Sequence, residues 1–172
     1  MSFFRAFPKI KYDVKGDGVY YTMTNLMRRI KIQDKVKENT IAFDFYDVQD
    51  GDTPEIVAYY YYQDVKLHWL VLLANNIIDV YTQWPMSVPR FEQYVYEKYD
   101  DVNAIHHYEI YQTSGDTTQI IQLPNNVGYP NAIPVTNFVY EDNLQKERAK
   151  IRLIRPEYTE QIVREFENRI KG

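Results

Sequence analysis

The sequence predicts an α+β fold: a strand-helix-helix core with an additional helix, a β-hairpin region, a C-terminal strand and helix, and irregular extended arms. Three observations predict it. Between residues 44 and 86 a short strand-like run is followed by a strongly marked helix start and then by a second helix. Residues 105 to 122 alternate in character on either side of a Gly-containing turn. The tail passes from the strand-like Ile151 to Ile154 into a helix with Ile162, Val163, Phe166 and Ile170 on one stripe.

Residues 1 to 24 mix Phe3, Phe4, Phe7 and Pro8 with Gly16-Asp17-Gly18, too irregular for one long element, and read as an arm that docks on something. Asn25 can cap a short helix through Leu26, Met27 and Ile30, with Lys35 to Glu38 as a polar connection. Phe45 to Val48 reads as a strand and Asp50-Gly51 as the tight turn after it. Asp52-Thr53-Pro54-Glu55 opens a helix with complete chemistry. Asp52 or Thr53 accepts from free backbone N–H groups, Pro54 fits the first turn, and Glu55 favours the positive helix end.

That helix runs through Tyr59 to Tyr62, and Gln63-Asp64 breaks it. The second, Leu67 to Asn75, is apolar nearly all round, so it must be covered on most sides. Asn75-Asn76 can close it, because Asn tolerates the left-handed conformation. Asp79 to Met86 reads as a loop holding Trp84-Pro85, after which Ser87 caps a third helix carrying Phe91, Tyr94 and Val95. A hairpin follows around Ser114-Gly115-Asp116, and Leu123 to Thr136, rich in Pro, Asn and Gly, reads as an extended loop. Pro156 starts the final helix. The division expected is an N-terminal arm and short helix (1–43), a core with its flanking helix (44–100), and a hairpin, loop and terminal helix (101–172), all in one compact body.

At 172 residues, 45% apolar and 26% charged, the chain has the size and balance of one soluble globular domain. No apolar run approaches the ~18 residues of a membrane-spanning helix, and the start lacks a signal-peptide core, so the chain is expected to stay where it is made. With no cysteine, disulfides, thiolate metal sites and cysteine nucleophiles are excluded. A net charge of −4, with only short basic clusters, argues against a nucleic-acid partner. The 17 tyrosines, 8 phenylalanines and 2 tryptophans exceed what one small core needs, which suits surfaces buried only after assembly.

No motif carries catalysis. His68, His106 and His107 lack metal-ligand spacing, and the adjacent pair should point to opposite faces of a strand. The carboxylates Asp44, Asp47, Asp50, Asp52 and Glu55 are close in sequence, but Asp50 and Asp52 already serve a turn and a cap. No nucleophile elbow, Walker loop or dinucleotide fingerprint occurs. Catalytic residues, metals and cofactors are therefore expected to be none.

The stretch YDVQDGDTPEIVAYYYYQDVKLHWLVLLANNI, residues 46 to 77, resembles the first three elements of a LysM module. That resemblance implies a groove for N-acetylglucosamine polymers flanked by Gly51, Asp52, Thr53, Asn75, Asn76 and Ile77. The closing Gly-Gln-x-Leu-x-Ile-Pro strand of the module is absent, and Asp79 to Pro85 stands in its place.

A longer resemblance joins FFRAFPKIKYDV, the central GDTPEIVAYYYYQDVKLHWLVLLANNIIDVYTQWPMS and the tail YEDNLQKERAKIRLIRPEY to the T4-type contractile-tail baseplate wedge subunit family. It implies a small inter-wedge clamp with a LysM-like core, placed in the virion and assembled in the host cytoplasm. Its partners would be other baseplate wedge proteins and the sheath-initiating subunit, in multiple copies in a sixfold ring, without nucleic acid or membrane. Candidate contact residues are Phe3, Phe4, Phe7, Trp84, Tyr94 and the 123–136 loop. The alternatives are a glycan-binding wall module and, more remotely, a wall-degrading enzyme.

Overall fold

The computed structural model describes residues 3–28, 30–32 and 40–171. The chain divides into two compact units, one of Met1–Trp84 with Lys150–Gly172 and one of Pro85–Ala149. Both mix helices with small sheets.

The first unit opens with a turn of 3-10 helix at Phe3–Ala6, followed by an antiparallel hairpin of β1 (Lys9–Tyr12) and β2 (Tyr21–Thr24). The expected irregular arm is thus partly regular. Its organiser is Asp13, whose carboxylate accepts from the backbone N–H groups of Lys15, Gly16, Asp17 and Gly18 at 2.7 to 3.3 Å. The bond from Gly18 and the other amide bonds outweigh a smaller opposing effect of burial and hold the Asp13 carboxyl below its ordinary range. Gly16 and Gly18 have φ of 72° and 81°, which side-chain-bearing residues adopt at a cost. Among the described residues the short helix expected after Asn25 is a turn instead, in which Asn25 Oδ1 accepts from Met27 N at 3.1 Å. The polar connection expected at 35–38 lies outside the described residues.

The core of this unit follows the helix-start chemistry. Strand β3 (Phe43–Asp47) ends at the turn where Gly51 has φ 83°. Thr53 then caps α1 (Pro54–Tyr62), its hydroxyl accepting from Ile56 N. Of the two candidate caps Thr53 does this work, because Asp52 is engaged elsewhere: it accepts from Tyr46 Oη at 2.8 Å and from Gln49 N at 3.1 Å. Gln63 in the left-handed region closes α1, a 3-10 turn at Val65–Leu67 leads into α2 (His68–Ala74), and Asn76 (φ 55°) turns the chain away. Residues expected as a loop contain a short helix α3 (Val80–Gln83), capped by Asp79, whose carboxylate accepts from Tyr81 N.

The partner of β3 comes from far along the chain. Strand β7 (Lys150–Ile154) pairs with it antiparallel, Phe43 opposite Ile154 and Asp47 opposite Lys150. Ile151 and Leu153 enter one apolar cluster with Val57, Ala58, Val71 and Trp84. Ile154 enters another with Phe43, Trp69, Leu70 and Ala74, completed by Phe166 and Ile170 of the terminal helix α6 (Pro156–Lys171). The nearly all-round apolar α2 is therefore packed between the two clusters.

The second unit holds α4 (Val88–Lys98), a three-stranded antiparallel sheet and α5 (Asn137–Ala149). Ser87 precedes α4, but its hydroxyl makes no capping bond. The central strand β4 (Ile105–Tyr111) lies between β5 (Ile120–Leu123) and β6 (Ile133–Thr136). Strand β6 corrects the reading of 123–136 as loop throughout. Pro134 sits in β6 without harm because β6 is an edge strand. Helix α5 was not anticipated: its interior residues include Glu141 and Gln145, so no apolar stripe announces it.

Candidate interaction surfaces

The amino-terminal phenylalanines are divided between core and surface. Phe7 is buried, and Phe3 is half-buried against Phe166, with centroids 5.2 Å apart, and against Trp69. Phe4 remains 60% exposed although its ring touches both Phe3 and Phe7. The turn Phe3–Ala6 thus anchors through one side and presents the other.

Beside this anchor lies a cavity of about 1100 Å³. Its walls include Phe3 and Phe7, Trp69 and Leu73 of α2, and Phe166 and Ile170 of α6. Leu26, Phe4 and Ile78 also line it while being 60% exposed or more. Arg28, Lys31 and Lys66 supply charge. The Arg28 guanidinium donates to the Ile170 carbonyl at 2.9 Å, which fixes it at the cavity without neutralising it.

The two loops singled out for a groove are both ordered by internal bonds. Asp52 carries the Tyr46 hydroxyl, whose pKa is pushed up to about 12 by burial first and by the bond to Asp52 second. The Asp52 carbonyl accepts from the Trp84 indole Nε1 at 2.8 Å, and Trp84 is only 6% exposed. Ile77 packs against the apolar cluster that contains Trp84. Gly51, Thr53 and Asn76 are exposed, whereas Asn75 is half-buried.

Asn75 has a role that spacing could not show. Its amide donates to Val71 O and Arg152 O, both at 2.8 Å, and its Oδ1 accepts from Arg152 N at 2.9 Å. The side chain therefore pairs with both backbone groups of one β7 residue, as a neighbouring strand would. A second bridge joins β3 to α1 and the end of β7. Asp44 accepts from Tyr61 Oη at 2.5 Å and from Arg155 Nε at 2.9 Å, and these bonds, Tyr61's foremost, hold its carboxyl below the usual range.

In the second unit, Tyr94 is half-buried and its hydroxyl accepts from Lys98 Nζ at 2.9 Å. The same ammonium reaches Glu141, a residue 1% exposed, at 2.7 Å, and Tyr99 Oη donates to that carboxylate at 2.8 Å. Burial pushes the Glu141 carboxyl up, but the Lys98 and Tyr99 bonds outweigh it and the net shift is downward. The expectation for His106 and His107 is corrected. A register irregularity between Ile105 and His107 brings the rings together, with Nδ1 atoms 2.8 Å apart. His106 stacks on Tyr140, and His107 Nε2 meets Glu109 at 3.0 Å. Among the described residues, no three His, Cys, Asp or Glu side chains converge as a metal site, and no helix is long and apolar enough to cross a membrane.

An α+β chain with exposed aromatic and aliphatic side chains around an apolar cavity has the character of an assembly protein, which completes its burial on neighbours. The model of the family described as Base plate wedge protein 53 matches residues 2–131, and the chain belongs to that phage family. It is a structural component of the virion's tail baseplate and meets other baseplate proteins. The match ends before β7. No curated protein matches the chain.

Proposed function

We propose that the chain is a non-catalytic clamp that joins neighbouring baseplate wedges. In this reading several copies stand in a sixfold ring and touch the wedge core proteins and the sheath-initiating subunit. The observation that carries it is the exposed apolar rim formed by Phe4, Leu26 and Ile78 on a unit whose own core is already closed. Such a surface is stabilised when a partner removes it from water, at roughly 25 cal/mol per Å² before ordering costs. The arm of residues 1–43 and the 123–136 segment, with exposed Val127 and Tyr129, are the contact regions.

The core of the first unit is read as LysM-like. What supports this is the order strand, helix, helix in β3, α1 and α2, closed by the antiparallel β7. The closing strand is supplied from residues 150–154, so an entire second unit is inserted before it. In place of a glycan, the chain's own Trp84 occupies the Asp52 carbonyl. Gly51, Thr53, Asn75, Asn76 and Ile77 accordingly serve the fold.

The test is a pull-down of the tagged full-length chain from cells producing the complete particle, with mass spectrometry of what is recovered. Stoichiometric recovery of several tail proteins is expected. Recovery of cell-wall fragments with no protein partner would overturn the reading in favour of glycan binding.

A further inference from the structure

We propose that the apolar cavity of the first unit receives a segment of another baseplate protein in which apolar side chains are flanked by carboxylates. This rests on the clamp reading and names the partner chemistry at one of its surfaces.

Shape and lining decide the first half. The cavity is walled by Trp69, Leu73, Phe166 and Ile170, with Phe4 and Ile78 exposed beside them, so apolar side chains entering it gain contacts with rings already held by core packing. Preorganised walls lower the ordering cost of binding.

Charge decides the second half. Five cations elsewhere in the described structure meet carboxylates: Lys98 meets Glu141, Lys146 meets Asp142, Arg155 meets Asp44, and Arg164 and Arg169 meet glutamates one turn back. The described lining of the cavity carries three cations, Arg28, Lys31 and Lys66. Arg28 is held by a backbone carbonyl, Lys66 has an exposed side chain, and no carboxylate is among the described residues lining the cavity. On a chain of net charge −4 the described lining of this cavity is locally cationic, which favours an acidic segment. A basic segment would be repelled by this lining.

The experiment uses particles assembled with the full-length chain carrying the photo-crosslinker benzoylphenylalanine in place of Phe4. A second preparation carries it in place of Tyr129, on the other unit, as the reference. The expected product from position 4 is a crosslink to one segment of another baseplate protein, with Asp or Glu beside its apolar residues. Lys66→Glu, an exposed change that leaves the core intact, should lower that yield roughly two- to fivefold without altering the Tyr129 products.

A crosslink to a second copy, to this chain's own residues or to a segment without carboxylates overturns the proposal. So does a yield indifferent to Lys66→Glu, or no product from position 4 in particles that contain the chain. Absence of the chain from purified baseplates would instead remove the clamp reading itself.

Discussion

The interiors of the two units are built from different chemistry. The first closes two apolar clusters around α2 and β7, and its fully buried side chains, Leu70, Leu153, Ile154 and Ile170 among them, are hydrocarbon. The second adds His107, Glu141 and Gln145 to a buried apolar set of Phe91, Val95 and Val135, with Lys98 and Tyr99 on the Glu141 carboxylate. Burial of hydrocarbon is insensitive to pH and forgiving of orientation, whereas a buried carboxylate contributes only while its donors are in place. The contrast teaches that the first unit is suited to be the stable platform and that the second answers to charge.

The largest effect expected in breaking this contrast is Leu70→Ala, which empties a fully buried site between two packed faces. It should destabilise the chain by about 2 to 5 kcal/mol, read from the urea midpoint. Glu141→Ala should cost about 1 to 3 kcal/mol, since Tyr99 loses its acceptor while Lys98, 42% exposed, regains water. A smaller loss for Leu70→Ala than for Glu141→Ala would reverse the assignment of platform and charged unit.

Acid sharpens the same comparison. The Glu141 carboxyl has a folded-state pKa below its ordinary value, so its contribution is fully present above that ordinary value of 4.5 and is lost as pH falls through the lowered one. Urea midpoints between pH 7 and pH 3 should therefore fall less steeply in Glu141→Gln than in the parent chain. Equal slopes would show that the buried carboxylate carries no acid sensitivity.

Two smaller changes test the joints of the platform. Asn75→Asp keeps an acceptor for Arg152 N but removes the donor to Val71 O and Arg152 O, and should cost about 1 to 2 kcal/mol. The loss is read from the urea midpoint. Thr53→Ala removes the α1 cap and should cost about 1 kcal/mol, with Thr53→Ser restoring most of it.

Much of the fold was legible because the signals are local. Gly51, Thr53 and Pro54 announce the start of α1 within four residues, Ser114-Gly115-Asp116 announces the β4–β5 hairpin, and the stripe of Ile162, Phe166 and Ile170 announces α6. Strand β6 and helix α3 were missed where Pro, Asn and short length masked the pattern. Helix α5 was missed because Glu141 and Gln145 face inward, which erases the apolar periodicity on which such readings depend.

The candidate contact residues were legible as types rather than as positions. Sequence by itself determined that this cysteine-free chain carries more aromatic side chains than one core needs, and where its main helices begin. Only the tertiary structure decided that Phe7 and Trp84 go inside while Phe4 stays out, that Asn75 serves as a surrogate strand for Arg152, and that β3 finds its partner in β7. Caps and turns are settled by neighbours a few residues away. Pairing across about a hundred residues is settled only by the apolar surface that the whole arrangement removes from water.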